Sequence, residues 1–230
     1  MEALAAEEAI LRCRLENGSP DTLCFWRGKK SVVVGCDINR DKVDFKLCDE
    51  LGIPVYRRQS GGGAIYQDEG NLNYSLIAPL DGIFQGKDAH DAGRLIDFLV
   101  AKAISKMNLN ATGMGGGTIC VEGRKVAGSA QFVLWGYLLH HGVVAVNTNL
   151  DTLQRIISVN RIPVTTLERE LGEVIEIERL AAHICKEFTA SLNTSAFQGK
   201  LKEEEERMAQ RLLEEKYLTL EWSRCYHAKN

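Results

Sequence analysis

The sequence predicts a protein of the α+β or mixed α/β class. Runs typical of strands dominate the middle of the 230 residues, helical patterns dominate both ends, and no internal repeat is visible. With 45% hydrophobic residues, the chain can bury one substantial core, or one domain with a small appendage. The 28 basic and 31 acidic residues nearly balance, so we expect no nucleic-acid partner.

Helices are predicted where apolar residues return at helical spacing. The clearest pattern places Ala92, Ile96 and Leu99 on one face. The predicted helices, in chain order, cover 2–16, 41–51, 88–109, 151–158, 165–171, 175–192 and 201–215. The four glutamates at 203–206 predict a solvated face that benefits from the helix dipole, and not a metal site.

Strands are predicted where short apolar runs are bounded by turn residues. The runs 22–26 and 31–36 are separated by Gly28, Lys29 and Lys30, which predicts a hairpin. Further strands are predicted over 53–56, between 63 and 71, and over 71–78, 118–121, 125–133 and 137–147. We expect a tight turn at 122–124 and a loop in the glycine-rich segment 113–117.

No segment of the sequence predicts a membrane span or a secretory signal. No apolar run is long enough for a bilayer, and the acidic N-terminus lacks the basic start of a signal peptide. We therefore expect a cytoplasmic protein without a membrane partner. The seven cysteines form no CxxC pair, which disfavours zinc and favours buried free thiols. They are Cys13, Cys24, Cys36, Cys48, Cys120, Cys185 and Cys225.

The most unusual stretch joins two arginines to three consecutive glycines. Arg57 and Arg58 precede Ser60 by three and two residues, and the glycines at 61–63 follow Ser60 directly. Glycine between strands is unfavourable unless the backbone must bend or approach something closely, and guanidinium groups suit carboxylates and phosphates. Neither a P-loop nor a GxGxxG pattern is present. The stretch predicts a small anionic ligand laid against a sheet; the alternative is a structural bulge.

A second stretch places a lysine at the start of a strand. Lys125 follows the tight turn, and the small residues Gly128, Ser129 and Ala130 come soon after it. Lysine commonly stabilises a phosphate or a developing oxyanion, and small residues let a ligand lie against the strand. Most lysines at turns are solvated, so the prediction of a site depends on both stretches together.

Two adjacent histidines form a third motif. His140 and His141 fall in a predicted strand, where successive side chains point to opposite faces. We expect one of them to face the site or the core and the other to face outward. Two histidines alone are too few ligands for a metal site.

Four ordered motifs together resemble the lipoate–protein ligase family. They read Arg57-Arg58-Gln59-Ser60-Gly61-Gly62-Gly63-Ala64-Ile65, Gly70-Asn71-Leu72-Asn73-Tyr74-Ser75, Gly123-Arg124-Lys125-Val126-Ala127-Gly128-Ser129-Ala130 and His140-His141-Gly142. The similarity begins at Glu7-Glu8-Ala9-Ile10-Leu11 and extends to Val164-Thr165-Thr166-Leu167. The family shares a superfamily with biotin–protein ligases and octanoyltransferases. The resemblance implies a large mixed, mostly antiparallel sheet and a smaller sheet, flanked by helices.

The resemblance also implies a reaction through an acyl-adenylate. Lipoate attacks the α-phosphate of ATP, which Mg2+ escorts, and the mixed anhydride acylates a lysine of a lipoyl carrier domain. Such a carrier would be a 2-oxoacid dehydrogenase E2 or a glycine cleavage H-like protein. The implied catalytic residue is Lys125, which would contact the acyl carbonyl and the phosphate. The implied substrate-binding and nucleotide-binding residues are Arg58, Ser60, Gly61, Gly62, Gly63, Asn71, Thr118, Gly128, Ser129, Ala130 and His141.

The sequence departs from the family pattern in two places. The Asn-Asp pair that usually precedes the lysine is Gly117-Thr118 here, so nucleotide handling is weakened or arranged differently. The chain also ends soon after the helix predicted at 201–215, where many single-chain ligases carry a small further domain. We predict a catalytic domain over 1–195, a helical extension over 196–230 and no accessory domain. We hypothesise that the chain is the large subunit of a bipartite ligase with a separate small subunit.

Three alternative functions stay open at this point. An octanoyltransferase of the lysine-containing type resembles this chain at Gln131, but its cysteine would fall near Ala111 or Thr112, and Cys120 lies too close to Lys125. A biotin ligase would show a Gly-Arg-Gly-Arg type of loop, which is absent. A non-catalytic protein that binds lipoate or a lipoyl domain would explain the loss of the Asn-Asp pair.

Overall fold

The computed structural model describes residues 1–37, 42–158 and 162–224. Its helices are α1 (Glu2–Asn17), α2 (Phe45–Glu50), α3 (Ala89–Ser105), α4 (Leu150–Ile156), α5 (Leu167–Leu171), α6 (Ile177–Ser191), α7 (Glu203–Leu212) and α8 (Leu220–Arg224), with a π-helical turn at Leu213–Tyr217. Its strands are β1 (Thr22–Trp26), β2 (Ser31–Val34), β3 (Val55–Arg57), β4 (Ala64–Gln67), β5 (Asn71–Pro79), β6 (Ala111–Gly115), β7 (Thr118–Val121), β8 (Arg124–Leu134) and β9 (Tyr137–Ala145). Within the described ranges, no helix combines the length and apolar character that a bilayer crossing requires.

The strands form one large and one small sheet. The large sheet has six antiparallel strands in the order β1-β5-β9-β8-β7-β6. The small sheet has the order β3-β2-β4, in which β2 pairs in parallel with β3 and antiparallel with β4. The predicted α+β class, with a large mostly antiparallel sheet, a smaller sheet and flanking helices, is confirmed.

Helices cover both faces of the large sheet near its centre. On one face, α3 and α6 bury the main core with Tyr74 and Leu138 of the central strands. On the opposite face, Ile10 and Leu11 of α1 pack against Ile77 of β5. The residues of β5 from Asn71 to Ala78 are therefore buried, whichever face of the sheet their side chains point to. Because helices cover both faces of the large sheet at its central strands, the polar residues of β5 and β9 are internal. They therefore need hydrogen-bond partners within the protein.

Two of the sequence predictions about strands are wrong. The runs predicted as a hairpin separate into different sheets, because β1 pairs with β5 and β2 pairs with β3 and β4. The segment 113–117 is not simply a loop. Residues 111–115 form the edge strand β6, which pairs with β7, and only the connection at 116–117 lies outside a strand. Both errors concern long-range pairing, which local patterns do not encode.

Several element boundaries also differ from those predicted. The helix predicted over 41–51 is the shorter α2, which begins after Asp44, whose side chain accepts a hydrogen bond from Leu47 N; residue 41 lies outside the described residues. The helix predicted over 201–215 starts at Glu203 and passes into a π-helical turn. The acidic run is not wholly solvated, because Glu205 is buried and accepts a hydrogen bond from Lys202 N at 2.8 Å.

The free thiols are less uniformly buried than predicted. Cys13, Cys48 and Cys120 are buried, whereas Cys24, Cys36 and Cys185 are half-buried. The structure gives no description of Cys225, which lies outside the described residues. All six described cysteines are free of disulfides.

The C-terminal helices pack on the N-terminal helix. Leu4 and Ala9 of α1 share a cluster with Leu212, Tyr217 and Val33 of the small sheet. The other face of the small sheet packs on a separate cluster beside α2 and α4. The helix α1 therefore lies between the large sheet, the small sheet and the C-terminal segment.

Candidate active site

The candidate site is a cleft bounded by both sheets. It has two adjoining lobes, with volumes of about 180 Å³ for the first and about 280 Å³ for the second. The residues that line both lobes are Gly63, Ala64, Ile65, Lys125, Gly128 and Val143. Lys125 is the one charged residue in this shared set, so it lies where two parts of an elongated ligand would meet.

Lys125 is fixed through its backbone, while its ammonium group forms no ion pair with any residue that the structure describes. Its N–H donates to the carbonyl of Pro163 at 2.7 Å, and its carbonyl accepts from Thr165 N at 2.9 Å. Burial lowers the pKa of Lys125, against the opposing effects of Cys120 and Asp97. Among the described residues, no carboxylate pairs with its Nζ. A partly desolvated cation in this state is suited to an anionic ligand.

Arg58 holds the glycine loop, which we define as residues 58–63. Its Nε donates to Ser60 Oγ at 3.0 Å, its Nη1 to Val33 O at 3.2 Å, and its Nη2 to Gly61 O at 2.7 Å and Gly63 O at 2.9 Å. The side chain is buried, which lowers the pKa of Arg58 to about 10 and leaves it charged at neutral pH. Arg58 thus shapes the loop internally and adds positive charge to the first lobe, which it lines.

A buried chain of hydrogen bonds joins this loop to α1. Ser60 Oγ lies 2.6 Å from His141 Nε2, and His141 Nδ1 lies 2.9 Å from Glu7 Oε2. The Glu7 carboxylate accepts from Nδ1, and Ser60 Oγ, which itself accepts from Arg58 Nε, bonds to Nε2. The other oxygen of Glu7 accepts from Trp26 Nε1 at 3.2 Å and also from Ser75. Glu7 therefore sets the orientation of His141 beside the first lobe.

The expectation that one of the adjacent histidines faces outward is wrong. His140 is 2% exposed and His141 is 9% exposed. They do point to opposite faces of the sheet, but α3 covers one face and α1 the other. His140 stacks on Tyr74 and lies 3.5 Å from Asp97 Oδ1, and burial lowers the pKa of this histidine, against the opposing effect of Asp97. His140 is therefore a neutral core residue.

The backbone at position 117 explains why this chain has glycine where the family pattern has asparagine. Gly115, Gly116 and Gly117 all have positive φ, at 78°, 57° and 72°. Gly117 O accepts from Ser129 N at 2.7 Å, and a Cβ atom at Gly117 would lie 2.3 Å from Ser129 O. An asparagine cannot fit here without moving the backbone. Thr118, the next residue, lines the second lobe.

Most of the predicted site residues come together at the cleft. Those that line the first lobe are Arg58, Gly62, Gly63, Lys125, Gly128, Ser129, Ala130 and His141. Those that line the second lobe are Gly63, Asn71, Thr118, Lys125 and Gly128. Ser60 and Gly61 do not line either lobe but bond to residues that do.

Sequence reasoning missed several residues of the cleft. The first lobe is also lined by Leu4, Glu7, Trp26, Gln67 and Asn73, and the second by Lys42, Tyr66, Thr148 and Ser158. Glu7 could have been found, because its position falls three residues after Leu4 and four before Leu11, on the inward face of α1. Leu4 lies on that same face of α1, and the remaining residues come from separate strands and loops that only the folded chain brings to the cleft.

Among its described residues, the cleft has no group of side chains that could enclose a metal ion. In the described parts of the chain, no three His, Cys, Asp or Glu side chains are grouped so that they could hold a metal. The Thr118 hydroxyl is the polar side chain at the position where the family pattern has Asp. In general, Mg2+ that escorts nucleotide phosphates keeps mainly phosphate and water oxygens as ligands, so the fit of a nucleotide does not depend on such a group of side chains.

The relatives of this chain are ligases and acyltransferases, so it is a member of an enzyme family. The model of the lipoyl protein ligase A/B catalytic domain matches residues 1–189, and the chain belongs to that family. The resemblance predicted from the four motifs is thereby confirmed.

Three relatives illustrate the similarity. Lipoate–protein ligase 1 of Staphylococcus aureus is 30% identical, over 96% of this chain and 68% of that protein. Lipoate-protein ligase A subunit 1 of Thermoplasma acidophilum is 27% identical, over 96% of this chain and 90% of that subunit. Octanoyltransferase LipM of Carboxydothermus hydrogenoformans is 26% identical, over 96% and 93%.

Solved structures described as lipoate protein ligases are similar in fold to this chain. A T. acidophilum protein with bound lipoic acid superposes with a TM-score of 0.86 at 27% identity, covering 96% of this chain and 92% of that one. A lipoate-protein ligase A bound with ATP gives 0.84 at 26% identity, covering 96% and 92%. A chain from the bipartite lipoate protein ligase of T. acidophilum, described with its E2 lipoyl domain, gives 0.86 at 26% identity, covering 100% and 93%.

Proposed function

We propose that this chain is an ATP-dependent lipoate–protein ligase. The observation that carries the proposal is Lys125, a partly desolvated ammonium at the junction of two lobes and without a protein counter-ion among the described residues. Support comes from two similar structures, one with lipoic acid and one with ATP. A ligand made of an acyl chain and a nucleotide, joined by one phosphate, would match the two lobes around this cation.

The proposed chemistry has two steps. A carboxylate oxygen of lipoate bonds to the α-phosphorus of ATP, the bond to the bridging oxygen breaks, and pyrophosphate leaves. The ε-amine of a carrier lysine then bonds to the acyl carbon, loses a proton, and AMP leaves. In both steps negative charge gathers at one point, and the Lys125 ammonium offsets it. The positive charge of Arg58 in the wall of the first lobe acts in the same sense.

We assign the acyl chain to the first lobe and the nucleotide to the second. The first lobe is lined by Leu4, Val33 and the indole of Trp26, which suit an aliphatic chain that ends in a polarisable sulfur ring. The second lobe is larger and combines the polar side chains of Thr118 and Ser158, for a ribose, with apolar side chains such as Leu153 and Val164, for the face of a base. With this assignment the reacting carboxylate and the α-phosphate meet at Lys125.

The proposed partner is a lipoyl carrier domain, and the proposed assembly is bipartite. Support comes from subunit 1 of the T. acidophilum ligase, of which this chain covers 90%. A 2-oxoacid dehydrogenase E2 or a glycine cleavage H-like protein would supply the target lysine.

Incubation with lipoate and ATP tests this function. We expect pyrophosphate release that depends on lipoate, and a lipoyl mass increment on an added E2 lipoyl domain, measured with and without a candidate small subunit. Omission of ATP is the control and should abolish the increment. Binding of lipoate with no pyrophosphate release, even with the small subunit present, would contradict the proposal and favour a binding protein.

An octanoyltransferase remains the second candidate, because LipM is also a relative. Such an enzyme needs a cysteine nucleophile near the lysine. The residue at position 112 is Thr112, and its partner across the β6–β7 pairing is Cys120. Cys120 is 3% exposed, and burial raises its pKa, although Lys125 opposes this. A buried thiol that stays protonated is a poor nucleophile.

The substitution Cys120→Ala separates these two functions. We expect full retention of lipoate- and ATP-dependent modification, because a small apolar residue replaces a thiol that takes no part in the reaction. Transfer from an octanoylated carrier protein is measured in parallel, with Cys185→Ala as the matched control for a distant half-buried thiol. The transferase would be established instead by three results together. The unsubstituted chain transfers the octanoyl group, Cys120→Ala abolishes this transfer, and Cys185→Ala leaves it unchanged.

A further inference from the structure

Besides its hydrogen bonds to residues 34–37, the glycine loop is attached to the rest of the protein by side-chain contacts on two sides. On the inner side, Ser60 bonds to His141 and through it to Glu7. On the outer side, the neighbouring residue Gln59 accepts a hydrogen bond from Lys216 of the C-terminal segment, defined here as residues 213–222. The inner attachment belongs to the cleft itself. The outer one is made by a part of the chain that lines neither lobe.

Lys216 joins three elements through one ammonium group. Its Nζ donates to Glu8 Oε2 of α1 at 2.6 Å and to Gln59 Oε1 of the loop, and lies 4.1 Å from the ring centre of Trp222 in α8. Tyr217 also donates to Glu8 Oε2, at 2.7 Å. Such a fully occupied ammonium, half-buried among fixed partners, defines a single geometry for all three elements.

The carboxylate that receives Lys216 is itself buried within the fold. Glu8 is 2% exposed, and Arg12 donates to its other oxygen at 2.8 Å and 3.0 Å. Burial alone would raise the pKa of Glu8, but the hydrogen bonds from Lys216, Tyr217 and Arg12 outweigh it and leave the pKa lowered. The carboxylate is therefore ionised and saturated with donors, and it keeps Lys216 in position.

The backbone of the C-terminal segment is shaped for this contact. Leu218 N donates to Leu213 O at 2.9 Å, a bond that spans five residues and marks a π-helical turn. The wider turn brings Lys216 and Tyr217 together over Glu8. Trp222, beyond the turn, donates from Nε1 to Arg57 O at 2.9 Å, just before the glycine loop begins.

We propose that Lys216 is a positioning residue for the cleft: it ties the C-terminal segment to Gln59 and so keeps the glycine loop as the wall of the first lobe. Gln59 immediately follows Arg58, which lines that lobe and holds the carbonyls of Gly61 and Gly63. Loss of the tie lets the loop fluctuate and weakens binding of the acyl substrate. The effect on substrate rests on the proposed ligase function; the effect on the loop does not.

The test compares Lys216→Met and Gln59→Leu with Arg207→Ala. The first two remove opposite ends of the tie. Arg207 lies on α7, the helix before the C-terminal segment, and forms an exposed pair with Glu203 of the same helix. Hydrogen exchange is followed at the amide of Cys36, which donates to Ser60 O at 2.9 Å. We expect exchange about tenfold faster in both tie variants and unchanged in the control.

Kinetics provide the readout that a purely structural role would not move. We expect the KM for lipoate to rise roughly five- to tenfold with little change in kcat, and the double variant to be no worse than either single one. The variant Gln59→Leu leaves the Lys216–Glu8 pair intact. If it changes neither the exchange at Cys36 nor the KM for lipoate, the proposal is overturned. If the parent chain does not use lipoate at all, the ligase function fails while the exchange comparison still decides the role of Lys216.

Discussion

Replacing Lys125 with methionine is expected to abolish adenylation while leaving the fold intact. Methionine keeps the length and packing of the stem but removes the ammonium at the junction of the two lobes. Loss of one preorganised charge at a reacting centre costs about 10²- to 10³-fold in rate. Because no carboxylate among the described residues pairs with this ammonium and burial lowers its pKa, removing it takes away an unfavourable desolvation. The Tm should therefore stay equal or rise.

The adjacent residue provides the matched control for this prediction. Arg124 lies on the exposed side, where its guanidinium pairs with Glu170 and not with the cleft. Arg124→Ala should keep adenylation and lower the Tm slightly, which is the opposite pattern. Pyrophosphate release, modification of a lipoyl domain by mass spectrometry and thermal unfolding are measured for all three proteins. Retained modification by Lys125→Met would contradict its assigned role, and a large fall in its Tm would contradict the reasoning about burial.

Restoring the family residue by Gly117→Asn is expected to damage this protein. The backbone at Gly117 has positive φ, and a Cβ atom would come within 2.3 Å of Ser129 O. Strain from the conformation and from overpacking together should cost about 2–5 kcal/mol. The displaced loop would also disturb Ser129 and Thr118, which line the first and second lobes respectively. We therefore expect a lower free energy of unfolding in urea and loss of nucleotide binding by calorimetry.

The substitution Gly116→Asn is the control that separates the steric clash of a side chain from the strain of a positive φ. Gly116 also has positive φ, at 57°, but nothing lies within 4 Å of the position of its Cβ. Asparagine visits this conformation readily, so the cost should be about 1 kcal/mol or less. Equal destabilisation by both substitutions would show that the contact with Ser129 does not decide the result. A fully stable and more active Gly117→Asn would mean that the loop adapts and that the missing Asn-Asp pair can simply be restored.

The family, the class and the main cluster of site residues could be predicted because they depend on local patterns. Strands in the middle and helices at the ends are visible from periodicity, and the three glycines with Arg58 and the turn before Lys125 carry the resemblance. The ligase family and the two-sheet architecture followed from these motifs and are confirmed. The roles of the individual residues in the cleft stay predictions.

What failed were the statements that depend on which strands and helices meet. The sequence of β1 and β2 looks like a hairpin, yet the two strands belong to different sheets. Gly113 appears to be part of a loop, yet it pairs with Ile119 in an edge strand. The sequence of a strand does not show which other strand it pairs with, because the pairing depends on contacts far along the chain.

By itself, the sequence predicted that Arg58, Lys125 and the glycines around them belong to one small-ligand site, because the four ordered motifs that contain them resemble one family. Only the tertiary structure decided that the Arg58 guanidinium bonds to the glycine loop's own carbonyls, that Lys125 has no such partner among the described residues, and that Glu7 and Lys216 support the loop from either side. The physical reason is that a charged group acts through what surrounds it. Burial, counter-ions and hydrogen-bond partners come from distant segments, and they appear only when the chain is folded.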